Sequence, residues 1–371
     1  MKIVSLQENL KHSLFIASHI ATKNINLPIL NNVLIKADGG NIKIISTNLE
    51  MGIVNNVRGK IEEEGSFTVD SKIIFDYINL LPNKKIEIKL VGDSLAISSG
   101  NYKTKIKGQS AEEFPLIPMV DREKYYSAEV EDFKKAIGRV LFAASVNESR
   151  LELSGVLFSF LKDKLVLAAT DSYRLAEKSV EIKGNSQSQE KIIVPAKTLQ
   201  ELTRILSAGS EEDGGELKIY LSENQVMFNY GNTELISRLI EGQYPDYQQI
   251  IPTVSKTNVL VERAELIRAV KMSSLFSKTG INDVNLDFPA GKNSMIVSAV
   301  SGQTGESTTE IEAKTSGADN GVVVNHRYLL DGLNNLDCEM IKIEVVDNNT
   351  PCVIRPEKDN GYLYVIMPIK Q

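Results

Sequence analysis

Val69-Asp70-Ser71-Lys72-Ile73-Ile74-Phe75 returns as Val194-Pro195-Ala196-Lys197-Thr198-Leu199 and, more loosely, as Val324-Asn325-His326-Arg327-Tyr328-Leu329-Leu330. The spacings are 125 and 130 residues. Two further markers keep the same register. Val33-Leu34-Ile35, a Gly39-Gly40 turn and Ile42-Lys43-Ile44-Ile45 lead to Thr47-Asn48. The pattern returns as Val156-Leu157-Phe158 through Leu165-Val166-Leu167 to Thr170-Asp171, and as Leu286-Asp287-Phe288 through Met295-Ile296-Val297 to Ser301-Gly302. Phe114-Pro115 is answered 130 residues later by Tyr244-Pro245. One such coincidence is weak, but three in register indicate three tandem similar domains. The expected extents are 1–121, 128–252 and 258–371, joined through Asp121-Arg122-Glu123-Lys124 and the polar segment after Pro252.

Each period divides again. A helix-period segment comes first, such as Leu6, Leu10, Leu14 or Phe133, Ile137, Val140. Alternating strand-like runs follow, then a second helix and further strands such as Ile86-Glu87-Ile88 and Ile341-Lys342-Ile343. The expected fold class is α+β, with two helices and two small antiparallel sheets per domain. The helices are expected at 7–21, 71–81, 131–145, 196–207, 262–276 and 325–336.

Composition narrows the function classes. At 371 residues, 42% hydrophobic and 24% charged, the chain reads as globular, with room for several cores. No apolar stretch approaches the roughly 20 residues of a membrane span, so no membrane partner is expected. Charge enters at Glu8 and Lys11 before a signal core forms, and Cys338 and Cys352 are too few for a disulfide framework. A cytoplasmic location is the expectation. Three histidines and no tryptophan exclude most histidine-based metal and catalytic designs. A net charge of −6 excludes a uniformly basic nucleic-acid binder, though not a locally basic surface.

Six similar helix-plus-sheet units build either an open solenoid or a closed ring. Six helices packed roughly 8–10 Å apart would enclose an opening of only about 7 Å. Twelve, from two chains head to tail, would leave about 24 Å, enough for a duplex of about 20 Å. The expected helices carry 11 Lys and Arg against 8 Asp and Glu, leaving −9 on the remainder. A mildly positive lining suits phosphates without base readout. On charge alone, the same count also fits ordinary solvated helix faces.

The segments TNLEMGI (47–53), ELSGVLF (152–158), ATDSYRLAE (169–177), EGQYPDY (241–247) and YVIMPIK (364–370) together resemble the bacterial sliding clamp, the beta subunit of DNA polymerase III. The resemblance runs from Leu27-Pro28-Ile29-Leu30 to the C-terminus. It implies a homodimeric ring of which this chain is half, threaded by duplex DNA and without catalytic activity or cofactor. It also implies partners: DNA polymerase subunits, repair proteins and an ATP-driven clamp loader, carrying a short clamp-binding peptide.

By the same resemblance, the peptide pocket falls to Thr170, Ser172, Tyr173, Arg174 and Leu175, to Pro245, Gln249 and Ile250, to Tyr328, and to Val365, Ile366, Met367, Pro368 and Ile369. Leu175, Pro245, Ile250 and Met367 are suited to an apolar floor for a leucine or phenylalanine anchor, and Arg174 to a peptide carboxylate or carbonyl. Ser172-Tyr173 stands where the family commonly has Gly-His, and Gln249 where a basic residue is common. DNA contacts are implied at Lys23, Asn24, Lys72, Arg150 and Lys197. The head-to-tail contact is implied at Thr104, Ile106 and Leu275.

Enzymatic readings are weaker. Asp171-Ser172-Tyr173-Arg174 has no histidine nearby in sequence to activate the serine, and Asp-Ser pairs commonly form turns. Gly39-Gly40 and Gly214-Gly215 lack a phosphate-loop pattern. His12 and His19 share a helix face without a third metal ligand. Cys338 and Cys352 read as small buried side chains. The alternative to a clamp is a non-catalytic repeat scaffold that binds proteins only.

Overall fold

The computed structural model describes residues 1–21, 25–118, 120–147, 149–185, 189–209 and 214–370. It places helices at α1 Gln7–Ser18, α2 Ser71–Leu80, α3 Val130–Leu141, α4 Ala196–Ala208, α5 Arg263–Ser274 and α6 His326–Asn334. All six lie where the periodicity puts them. α3 stops earlier than expected because Ala143 N and Ala144 N turn back to Val140 O and Leu141 O, tightening the end before Ser145.

The recurring segment is a strand that runs into a helix. Asp70 Oδ1 accepts from Ile73 N at 2.8 Å and starts α2; Asn325 Oδ1 accepts from Arg327 N at 2.9 Å and starts α6. At the middle copy Pro195 precedes α4, where a missing N–H costs little.

Every strand pairing is antiparallel among the described residues, and the strands join into two sheets of 14 and 12. The small sheets expected for each repeat are therefore fused across repeats. Thr233–Arg238 of the middle repeat pairs with Met51–Val57 of the first, with Leu235 opposite Ile53. Arg174–Glu181 of the middle repeat pairs with Tyr362–Ile366 of the third, with Leu175 opposite Val365. Contacts divide the chain accordingly into two compact units. One gathers Met1–Val130, a short piece beginning at Lys183, and Lys197–Leu239; the other gathers Glu131–Ile182, a short piece ending at Ala196, and Ile240–Gln371.

In the first unit Leu10 and Leu14 of α1 and Ile74 and Ile78 of α2 are buried against Ile3, Val33, Ile44, Ile86 and Leu95 of the strands. In the second unit a core of Leu153, Leu157, Leu175, Ile193, Tyr244, Tyr247, Val353, Leu363 and Val365 lies beneath the residues singled out in ATDSYRLA and YPDY. Removing a side chain such as fully buried Leu175 would cost about 2–5 kcal/mol. Cys352 is buried as expected, and burial pushes its thiol pKa up to about 12, whereas Cys338 is only partly covered. No described helix is long and apolar enough to cross a membrane.

Candidate functional site

The hairpin between Lys164–Thr170 and Arg174–Glu181 turns at Asp171-Ser172-Tyr173. Asp171 Oδ1 accepts from Tyr173 N and Arg174 N, each at 3.0 Å, and its Oδ2 accepts from Arg174 Nε at 3.0 Å. Thr170 Oγ1 donates to Arg174 O at 2.6 Å and accepts from Ser172 N at 3.1 Å. Ser172 is thereby held at φ +80, the left-handed region. The first repeat builds the same turn from Thr47-Asn48-Leu49-Glu50-Met51. Asn48 Oδ1 accepts from Glu50 N and Met51 N, Thr47 Oγ1 donates to Met51 O, and Leu49 stands at φ +76. Asp171 is a turn former here, as its Asp-Ser context suggests.

Behind the turn, Tyr244 Oη accepts from Thr170 N at 3.1 Å and donates to Ala168 O at 3.4 Å. Tyr247 donates its hydroxyl to the Glu177 carboxylate. Burial raises the pKa of both phenols; for Tyr247 the charge and hydrogen bond of Glu177 add to it, so both stay protonated donors. These bonds seat the Pro245-Asp246 corner against the hairpin. The result is a cavity of about 180 Å³. Leu175 and Val365 line it with under 2% of their surface exposed, Pro245, Tyr247, Ile250 and Met367 add apolar surface, and Thr170, Ser172, Arg174, Asp246 and Arg150 supply polar groups.

Met367 also borders a second cleft of about 330 Å³, with Tyr173, Ile281, Asn325, Tyr328, Pro368 and Ile369. The C-terminal segment is tied in place by main-chain bonds, Met367 N to Tyr173 O at 2.9 Å and Ile369 N to Val323 O at 2.8 Å. Tyr364 Oη donates to Tyr328 O at 2.8 Å and anchors α6 beside the cleft.

Arg174, expected to meet a peptide carboxylate or carbonyl, is already paired within the chain. Nη1 donates to Asp331 Oδ2 at 2.5 Å, Nε is held by Asp171, and the guanidinium lies 4.7 Å from the Tyr328 ring centre and 5.6 Å from that of Phe142. It is a brace for the turn and α6, and a peptide carboxylate would have to compete with Asp331 for it.

Twelve of the fourteen pocket residues expected from the sequence line the cavity or the cleft. The two others do not, for different reasons. Ile366 alternates to the opposite face of its strand and is fully buried. Gln249 donates to Asp246 Oδ2 at 2.7 Å without lining the cavity itself. Arg150, expected at DNA, lines the cavity: Nη1 donates to Ser172 Oγ at 3.1 Å and Nε to Glu152 Oε1 at 3.0 Å. Sequence reasoning missed Asp246 and Tyr247, although both lie inside YPDY, and Asn325, although it sits in the recurring strand-to-helix segment. It also missed Ile281, which no motif marks.

Lys72 and Lys197 each occupy the second position of a helix and are exposed, with Lys72 Nζ 2.9 Å from Asp76 Oδ2. Lys23 and Asn24 lie outside the described residues. Leu275 is 72% exposed at the end of α5, and Thr104 is partly exposed on the strand Tyr102–Gln109. Ile106 on that strand points inward opposite Leu95 and is 7% exposed, so an interface could use only its main chain.

Comparison with known proteins covers the whole chain. Descriptions of the DNA polymerase III beta subunit match its N-terminal domain at 1–118, its central domain at 128–246 and its C-terminal domain at 248–370. A beta sliding clamp from Synechococcus elongatus is 30% identical over 377 residues, covering 100% of this chain and 99% of its own. The crystal structure of the DNA polymerase III beta subunit from Thermotoga maritima is 29% identical with TM-score 0.91, covering 100% of this chain and 99% of its own. A sliding clamp from Pseudomonas aeruginosa bound to griselimycin is 25% identical with TM-score 0.93, covering 100% of both chains.

Proposed function

The chain belongs to the sliding-clamp family, the beta subunits of DNA polymerase III, and from that premise we propose that two copies close head to tail around duplex DNA and tether partners through the cavity and cleft at Met367. Membership makes it a replication processivity factor. The three domains, 1–121, 128–252 and 258–371, are the ring segments of each copy in this reading. Tethering is topological: any one DNA contact can be weak, because escape requires opening the ring. The chain itself carries out no reaction, works in the cytoplasm, and relies on an external loader.

The observation that carries the tethering reading is the convergence of three distant segments, ATDSYRLA, YPDY and the terminal VIMP, on one apolar cavity. An aliphatic or aromatic side chain fits such a floor, and a flexible methionine adapts to several. Griselimycin bound to the Pseudomonas aeruginosa relative is consistent with a ligand pocket in this family.

Two open strand edges support closure. Among the described residues Tyr102–Lys107 pairs only with Ser94–Ser99, because its other neighbour reaches only Gly108 and Gln109. Among the described residues Gly305–Glu312 likewise pairs only with Ser294–Ser301. The first edge exposes Lys103, Lys105 and Lys107, the second Glu306, Glu310 and Glu312. An edge strand with unpaired main-chain groups invites a partner, and opposite charges select which one. Exposed Leu275 adds apolar surface on the acidic side.

The test combines mass and topology. Light scattering should give twice the 41.0 kDa chain mass. Clamps loaded on circular DNA should be lost once that DNA is linearised. A persistent monomer, or equal retention on both DNA forms, would leave only the protein-binding scaffold.

A further inference from the structure

The cavity of about 810 Å³ in the first unit has no part in the reading above. It opens between the first half of α1, the strands Met51–Val57 and Gly59–Glu63, and the Asn232-Thr233 corner. Its floor is a closed polar network. Ser13 Oγ donates to Asn55 Oδ1 at 2.5 Å and Asn55 Nδ2 donates to Thr233 Oγ1 at 2.6 Å, all three residues being buried. Nothing there calls for an apolar guest.

The walls are basic. Among the described residues His12, Arg58, Lys60 and Lys85 line the cavity against one carboxylate, Glu8, which accepts from Asn83 Nδ2 at 3.1 Å. This excess of positive charge stands out in a chain of net charge −6. Lys60 has one long pair with Glu62 at 3.6 Å, exposed and therefore weak. The Asn9 and Asn56 amides each give one hydrogen to a carbonyl, at 3.3 and 3.5 Å, and each carries a second donor hydrogen. Among the described residues no Phe, Tyr or Trp lines the cavity, so a base would have only the His12 ring or the Arg58 guanidinium to stack on.

We propose that this cavity is a phosphate site, holding phosphodiester or polyphosphate oxygens between Lys60, Lys85, His12 and the Asn9 and Asn56 amides. The ligand chemistry is the phosphate group; its source is either the sugar-phosphate backbone of the threaded duplex or a free nucleotide. Only the first source rests on the ring reading.

The experiment uses the full chain and the double variant Lys60→Ala/Lys85→Ala. Lys162→Ala/Lys164→Ala serves as a control that removes the same charge from the other unit. Pyrophosphate and dATP are titrated by calorimetry, and a labelled duplex by anisotropy over a salt series. If backbone is the source, the first variant weakens duplex binding uniformly across sequences and lowers the salt slope by about 2, while the control changes neither. If free nucleotide is the source, dATP and pyrophosphate bind with defined stoichiometry and the first variant alone loses them. The proposal falls if the two double variants behave alike in every titration. A chain that stays monomeric yet loses pyrophosphate only in the first variant would sink the ring and leave the phosphate site standing.

Discussion

Tyr173 lies stacked on Tyr328, with ring centres 6.4 Å apart and planes inclined by 21°. Tyr173 comes from the hairpin tip and Tyr328 from α6, and the Arg174 guanidinium lies over the Tyr328 ring. Tyr173 and Tyr328 thus form one wall of the cleft at Met367, while Arg174 lines the cavity that shares Met367 with it.

Tyr328→Ala removes the centre of that wall. A phenylalanine anchor stacked on that ring would lose about 0.5–1.5 kcal/mol beyond its area, so affinity for a phenylalanine-anchored peptide should fall roughly two- to tenfold. Tyr328→Phe keeps the ring and should bind nearly as the natural chain does. Anisotropy with a labelled peptide checks both, and an unchanged affinity in Tyr328→Ala would remove the cleft from the binding site.

The recurring turn gives a stability prediction with its own control. Leu49 and Ser172 both stand in the left-handed region, which costs an ordinary residue about 1–2 kcal/mol. Leu49→Gly should raise stability by about 1 kcal/mol or less, since glycine also loosens the unfolded chain. Ser172→Gly should gain less, because it forfeits the bond from Arg150. Thermal unfolding of the two variants side by side reads the difference; equal gains would mean the Arg150 bond contributes nothing.

The helices and repeats were legible because each is a local pattern: Leu10 and Leu14, or Ile74 and Ile78, recur at helical spacing whatever surrounds them. The fusion of sheets was not, because Leu235 opposite Ile53 and Leu175 opposite Val365 are pairings between segments over a hundred residues apart. The pocket was recognisable through motif resemblance, yet side-chain direction was not. Ile366 and Met367 are neighbours in one motif, and strand alternation buries one while the other meets the cavity. That Arg150 reaches Ser172 and Glu152 was not legible either, because a basic loop residue looks alike whatever it faces.

Acid should expose the Asp359 cluster. Burial alone would raise the Asp359 carboxyl, but Lys178, Gly361 N–H and Arg139 outweigh it and hold the pKa below its ordinary 3.8. Lys178 Nζ stands 2.7 Å and Arg139 Nη1 2.6 Å from Oδ2. With the folded value depressed, the unfolded chain binds the proton first, so this stabilisation is complete above the ordinary value and is lost as pH falls through the folded one. Asp359→Asn should therefore flatten the acid limb of stability against pH. Denaturant midpoints over that range decide; a parallel curve would show that the cluster does not couple to folding.

Charge exchange tests the two open edges. Lys103→Glu/Lys105→Glu should place like charges opposite Glu310 and Glu312 of a second copy and shift the protein toward monomer. Adding Glu310→Lys/Glu312→Lys should restore the dimer, and raising salt should weaken the natural one. Sedimentation of the three proteins reads this directly. A quadruple variant that remains monomeric would separate the edges from assembly.

The sharing of the middle repeat between two sheets bears on what can be cut out of this protein. A fragment confined to 128–252 would leave Thr233–Arg238 and Arg174–Glu181 each with a bare flank, two sticky templates on one short polypeptide. Such a piece should precipitate or pair with itself. Dissection for crystallography or screening should therefore follow the seams between sheets, and the inherited period of the gene is a poor guide to where scissors belong.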